Sequence, residues 1–192
     1  NLDVKIVGTS SGYTLGQYGA SHCVFEDAGA MRLLPNMTVI SPGDIYEAEM
    51  ATRAAAAMRT PVYIRIGRSN SFGADELIHT PTPTFTIGKA IPLTKGGDIA
   101  LIATGSMLLT ATRVAEKLRT AGISVALVSM HTIKPVDDEM IRNLCGTLPL
   151  LVTLEEHSVI GGLGSAVLES LNNQGLQTRV VRLGTKEIFL HV

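Results

Sequence analysis

Tryptophan is absent from the 192 residues, and four Phe and four Tyr are the whole aromatic complement. So few rings leave little on which nucleic-acid bases could stack. Charge of one sign is also missing, because 16 Lys and Arg face 17 Asp and Glu for a net charge of −1. The basic footprint of a nucleic-acid-binding protein is therefore not there. No apolar run reaches the ~18 residues expected of a membrane-spanning helix. The chain is expected to engage neither nucleic acid nor membrane. Its two cysteines, Cys23 and Cys145, lie far apart, with neither a Cys-x-x-Cys pair nor a metal-ligand spacing. They read as free thiols of a reducing compartment, and a cytoplasmic location is expected. The sequence starts at Asn1 without a signal-peptide pattern and enters the apolar run Val4-Lys5-Ile6-Val7 almost at once. It stops as abruptly at Phe189-Leu190-His191-Val192, and is expected to be a piece of something longer.

Hydrophobic residues make up 45% and charged residues 17%, which is the composition of a folded globular chain. A chain of this size buries about 70% of its unfolded surface without disulfide staples. Short apolar runs alternate with helical spacings. Val4–Val7, Thr38–Ser41 and Val62–Ile66 read as strands, with helices expected over Phe25–Leu34 and from Asp44 to Met58. Asp44 with Glu47 three residues on is a capping-box variant, and the Ala-rich run that follows has near-ideal helix propensity. Residues 69–85 carry turn formers and Thr-Pro-Thr-Pro-Thr. They read as a linker, with an edge strand as the alternative. Beyond them strands are expected at Ile99–Ala103, Val125–Val128, Leu150–Leu154 and Thr178–Leu183. Helices are expected from Met107 to Leu118, around Met140–Leu144 and over Leu163–Leu171. This order predicts an α/β chain with two three-layer units, each built on a mostly parallel sheet.

Open parallel sheets bind ligands at the carboxyl ends of their strands, so polar residues there are the first candidates. Gly12, Gly16 and Gly19 follow the first strand and lead to Ser21-His22. An imidazole at such a mouth can donate to a substrate hydroxyl or shuttle a proton near neutral pH; it can equally be a packed histidine bonded to backbone. Arg65 and Arg68 end the strand Val62–Ile66, where a guanidinium suits a phosphate or carboxylate or an ordinary surface ion pair. Glu155-Glu156-His157-Ser158 leads into Gly161-Gly162-Leu163-Gly164. The glycines depart from the dinucleotide fingerprint. Adjacent residues of an extended segment point apart, which favours structural or subunit-contact roles over a carboxylate pair. His131 and Lys134 read as structural.

Several motifs occur in order. They are Gly16-x-x-Gly19-Ala20-Ser21-His22, then Glu26-Asp27-x-x-x-Met31-Arg32-x-x-Pro35-Asn36-Met37-Thr38-Val39, then Pro61-Val62-Tyr63-Ile64-Arg65-x-Gly67-Arg68. Later come Ile102-Ala103-Thr104-Gly105-Ser106, Met130-His131-Thr132-Ile133-Lys134-Pro135 and the run from Glu155 to Ala166. Together they resemble the transketolase family, most of all the C-terminal subunit of split transketolases. The resemblance implies that residues 1–70 are the later half of a pyrimidine-binding domain, 71–85 a linker and 86–192 a transketolase-type C-terminal domain. It also implies thiamine diphosphate and Mg²⁺ in the complete enzyme, an N-terminal partner subunit or domain, homo-oligomerisation and sugar phosphate substrates. By the same resemblance His22 contacts substrate hydroxyls and the ketol intermediate, Arg68 clamps the substrate phosphate, and Arg65 lies beside it. The family's activating Glu and diphosphate domain have no counterpart here, so the chain alone is expected to be inactive, and cofactor-binding residues are not assigned. Tyr18 and Ser10 stand where the family usually carries Asp and His, which leaves the sugar open. The alternatives are part of a deoxyxylulose phosphate synthase-like or other thiamine-dependent enzyme, or a non-catalytic assembly subunit.

Overall fold

The computed structural model describes residues 2–67 and 77–187, which form two sheets flanked by helices. The first holds β1 (Lys5–Gly8), β2 (Thr38–Ile40) and β3 (Val62–Arg65), with α1 (Asp27–Leu33) and α2 (Ile45–Ala57) between them. The second holds β4 (Ile91–Thr94), β5 (Ile99–Ala103), β6 (Val125–Ser129), β8 (Leu150–Ser158) and β9 (Arg179–Thr185). Its helices are α3 (Met107–Thr120), α4 (Asp138–Thr147) and α5 (Leu163–Asn173). With β7 (Thr132–Lys134), strand order is β1-β3-β2-β7 in one sheet and β4-β6-β5-β8-β9 in the other. β7 follows β6 in the chain but joins β2 of the first sheet, antiparallel. Apart from β2·β7 and β4·β6 the pairings are parallel, as the α/β reading expects.

Each sheet is covered on both faces. In the second, Ile141, Leu144, Leu163, Val167 and Leu171 of α4 and α5 pack on one side. Leu108, Ala111 and Ala115 of α3 pack on the other. In the first, Ala51 and Ala55 of α2 meet Ile40, Val62 and Ile64, while Ala28 and Ala166 cover Val39 and Tyr63. α5 thus serves both cores, with Ala166 toward the first sheet and Leu163, Val167 and Leu171 toward the second.

The local differences from the sequence reading have physical causes. α1 begins at Asp27 rather than Phe25. The Val24 carbonyl accepts from Gly12 N–H, and that of Phe25 accepts from Ser158 N–H, so neither enters a helical ladder. β4 went unread because Pro92 breaks its apolar run; it lies at the sheet edge, where a missing N–H is tolerated. β8 runs four residues past Leu154, since its polar end is covered by the first unit. The linker reading falls partly on 69–76, outside the described residues, and 77–85 forms no strand.

Candidate active site

The loop joining β1 to α1 is closed at its base. Gly12 N–H donates to Val24 O at 3.2 Å, and the two residues form an isolated antiparallel bridge. Between them Tyr13–Ser21 winds as a 3-10 segment interrupted at Leu15 and Gly19, and His22 stands at its end. Tyr18 and His22 are both exposed, with ring centroids 4.9 Å apart at 39°. The Ser21 hydroxyl lies 2.9 Å from His22 Nδ1, and Nε2 has no hydrogen-bond partner among the described residues.

The second unit grips this base. Gly12 has φ +68°, a conformation glycine adopts without penalty, and a Cβ there would collide with the Glu156 carboxylate. Glu156 Oε1 accepts from Tyr13 N–H at 2.7 Å, and Oε2 accepts from the Ser106 hydroxyl.

Arg65 lies inside the fold. It is 4% exposed, and its Nε donates to both Asp27 carboxylate oxygens at 3.0 Å. Its Nη2 donates to Val24 O at 3.2 Å and Glu156 O at 2.8 Å. The Tyr63 hydroxyl also donates to Asp27, at 2.7 Å; burial, reinforced by that bond, raises the phenol's pKa far above its usual value. Of the two candidate arginines, Arg65 is ion-paired with Asp27, in the interior rather than at the surface as the sequence reading had it, and Arg68 lies outside the described residues.

Glu155 and Glu156 point apart, as their spacing predicts. Glu155 accepts from Leu163 N–H at 2.6 Å and Gly164 N–H at 2.9 Å, capping α5. Burial outweighs these bonds and pushes its carboxyl up to about 7. His157 Nδ1–H donates to Ser158 O at 2.7 Å, and Nε2 accepts from Gly29 N–H at 3.1 Å. Burial holds its pKa below the usual value, so it stays neutral in this tautomer. The run from Glu155 to Ser158 thus joins the two units. Lys134, at the end of β7, donates to the carbonyls of Arg32 and Leu34 at the end of α1 and so fastens that strand into the first sheet's unit. His131 is buried and stacked on Phe85, with centroids 4.2 Å apart.

Sequence reasoning missed a buried cluster between α2, Ile78 and His79 of the stretch read as a linker, and β6. Glu47 Oε1 lies 2.8 Å from His79 Nε2 and 2.6 Å from Ser129 Oγ, and Oε2 accepts from Gly43 N–H. Asp44 accepts from the amides of Glu47, Ile78 and His79. Burial opposes a charge on His79, but the hydrogen bond and field of Glu47, with the field of Asp44, raise its pKa overall. Burial likewise opposes a charged Glu47. The His79 bond, the His131 field and the bonds from Ser129 and Gly43 hold its carboxyl below the usual value. Asp44, Glu47 and His79 come close enough to share a metal, yet their acceptor atoms already receive protein donors, as a structural ion-pair cluster requires. The only sequence signal was the capping spacing of Asp44 and Glu47.

Thiamine diphosphate and Mg²⁺ do not fit a site built from these residues alone. The Tyr13 amide is engaged by Glu156 and the Arg65 fork by Asp27. Among the described residues, the only group with metal-ligand closeness is the internally satisfied Asp44–Glu47–His79 cluster, which is not on the His22 loop. The Cys23 thiol is no activated nucleophile, since partial burial and the Glu156 charge push its pKa up.

Residues 1–72 match the pyrimidine binding domain of transketolase, and residues 88–192 match the transketolase C-terminal domain. A Methanocaldococcus jannaschii protein provisionally named a transketolase C-terminal section is 42% identical over 190 residues, covering 98% of this chain and 58% of that protein. A 6-deoxy-6-sulfo-D-fructose transketolase subunit of a Clostridium species is 37% identical, covering 98% and 57%. The 1-deoxy-D-xylulose-5-phosphate synthase of Pasteurella multocida is 34% identical, covering 99% and 30%. A solved split-gene transketolase, an inactive β4 tetramer, superposes with a TM-score of 0.86 at 37% identity, over 96% of this chain and 58% of that one. Campylobacter jejuni transketolase shares the fold at a TM-score of 0.69 and 16% identity, over 96% and 27%. The chain spans a little over half the length of the split-type relatives it matches. With both domain families matched in order along the sequence, the chain belongs to the transketolase family, whose members depend on thiamine diphosphate.

Proposed function

We propose that this chain forms the C-terminal part of a transketolase that moves a two-carbon ketol unit from a ketose phosphate to an aldose phosphate. In this reading 1–70 belongs to the pyrimidine-binding domain, 71–85 is a linker and 86–192 is the C-terminal domain. An N-terminal subunit or domain supplies the diphosphate and Mg²⁺ sites, and the complete enzyme is a cytoplasmic homo-oligomer. The exposed edge strand β1, with Ile6 and Val7 open to solvent, is consistent with further association.

The observation that carries the reading is His22, exposed at the end of a loop whose base is clamped between two units. From there Nε2 can hydrogen-bond a substrate hydroxyl and stabilise charge as it develops. Arg68 binds the substrate phosphate, while Arg65, engaged by Asp27, shapes the loop. Mixing the chain with an N-terminal partner, thiamine diphosphate and Mg²⁺ tests this. Ketol transfer is expected from the mixture and not from the 192-residue chain alone; turnover by the chain alone overturns the division of labour. His22→Ala is expected to lower kcat about 10²–10³-fold. Arg68→Ala is expected mainly to raise KM for phosphorylated sugars.

The 34% identity to a 1-deoxy-D-xylulose-5-phosphate synthase over 99% of this chain supports a second reading, a synthase-like enzyme part. Formation of 1-deoxy-D-xylulose 5-phosphate by the same mixture, without ketol transfer between sugars, would select it.

A further inference from the structure

The 3-10 segment Tyr13–Ser21 begins without a cap of its own. Its N-cap residue is Gly12, which has no side chain to offer, so the first amide, that of Tyr13, is one of the donors a helix start leaves unpaired. The acceptor comes from 143 residues away, as Glu156 Oε1 takes this N–H at 2.7 Å. The other oxygen of the carboxylate is held by the Ser106 hydroxyl, next to the start of α3. Glu156 itself is buried, so its carboxylate has little freedom to follow the loop if the loop moves.

The second end of the loop is tied to the same residue. Arg65 Nη2 donates both to Val24 O and to the Glu156 carbonyl, and Val24 O also accepts from Gly12 N–H. The side chain of Glu156 therefore holds the entry to the loop, and its backbone, through Arg65, holds the exit. The closed loop between those points contains Tyr18 and His22.

We propose that Glu156 is a positioning residue, a carboxylate of the C-terminal unit that caps the loop of the pyrimidine-binding unit and thereby sets where His22 meets the substrate. The proposal rests on the role given to His22 above. It assigns the C-terminal unit a part in turnover that acts through the loop carrying His22. A near-attack geometry lost by ~1 Å costs on the order of 10²-fold in rate, which sets the scale of the effect. Glu156→Gln keeps the arrangement, because the amide oxygen can accept from Tyr13 N–H while its NH₂ donates to Ser106 Oγ. Glu156→Ala removes the cap and leaves Tyr13 N–H unpaired.

Two measurements on the enzyme assembled with its N-terminal partner test this. The first is amide hydrogen exchange. Glu156→Ala is expected to speed exchange across residues 13–24 at least 10-fold while β5 and α5 keep their wild-type protection, and Glu156→Gln is expected to leave residues 13–24 as in wild type. Unchanged exchange in this segment, or equal loss of protection everywhere, overturns the proposal whatever the activity. The second is a double-mutant cycle on kcat. Glu156→Ala is expected to lower kcat about 10- to 100-fold in the wild-type background and less than about 3-fold once His22 is Ala. An equal loss in both backgrounds overturns action through His22. If His22→Ala alone leaves kcat unchanged, the role of His22 fails and the positioning claim falls with it, while the exchange result still reports whether Glu156 caps the loop.

Discussion

Arg65 and Asp27 meet as a buried ion pair, with Arg65 Nε 3.0 Å from each oxygen of the Asp27 carboxylate. The pair sits where β3, the start of α1 and the end of β8 converge. Arg65 also bonds the carbonyls of Val24 and Glu156, and Tyr63 bonds the same carboxylate. An arginine whose fork is engaged in this way holds the framework of the site and leaves ligand binding to other groups.

Arg65→Ala should therefore act on stability before specificity. It strands the Asp27 carboxylate in a buried setting, a change that typically costs about 3–5 kcal/mol. Urea denaturation should show the loss, and turnover of phosphorylated and plain sugars should fall together. A selective rise in KM for phosphorylated sugars at unchanged stability would return Arg65 to the phosphate site.

The Glu47–His79 pair should show as a stability contribution with a pH window. His79 has its folded pKa raised above 6.5, so its contribution is complete below that value and is lost as pH climbs through the folded pKa. Glu47 is shifted below 4.5, so its contribution is complete above that value and is lost as pH falls through the folded pKa. Glu47→Ala leaves His79 buried without its partner and should cost about 3–5 kcal/mol. The wild-type advantage should be largest between about pH 4.5 and 6.5. Denaturation profiles of the two proteins that stay parallel across pH 4–8 would show that the pair is not charged.

Glu155 should contribute a slope of its own. Its folded pKa, raised from 4.5 to about 7, makes ionisation unfavourable in the folded chain. Stability from this group is complete below pH 4.5 and declines as pH rises through about 7. Glu155→Gln removes the titration but keeps an acceptor for one of the amides of Leu163 and Gly164. The difference in unfolding free energy should therefore move toward the variant between about pH 4.5 and 7 and be level above that. Identical pH profiles for the two proteins would show that Glu155 does not titrate in that range.

Much of the architecture was legible because it is local. The unbroken run Ile99–Ala103 became a central strand of the second sheet, and the spacing of Met107, Ala111, Val114, Ala115 and Leu118 became α3. Asp44 caps α2 through the amide of Glu47, as the spacing of the two residues requires. β7 was not legible: three residues cannot show a period, and their strand character comes from pairing with β2. The polar end of β8 was missed for a related reason, since Glu155, Glu156 and His157 are buried by contacts that only docking creates.

By itself the sequence determined the two parallel α/β units, the capped start of α2 and the family motifs around His22, because each depends on residues within a turn or a strand of one another. The tertiary structure decided which polar group answers which. It turned Arg65 toward Asp27, brought Glu156 to the amide of Tyr13, and set His79 against Glu47. A buried donor or acceptor must find a partner, but residue type states only that need. The partner is chosen by how the elements pack, within a unit for Arg65 and Asp27 and across units for Glu156 and Tyr13, and that choice joins residues 32 to 143 positions apart.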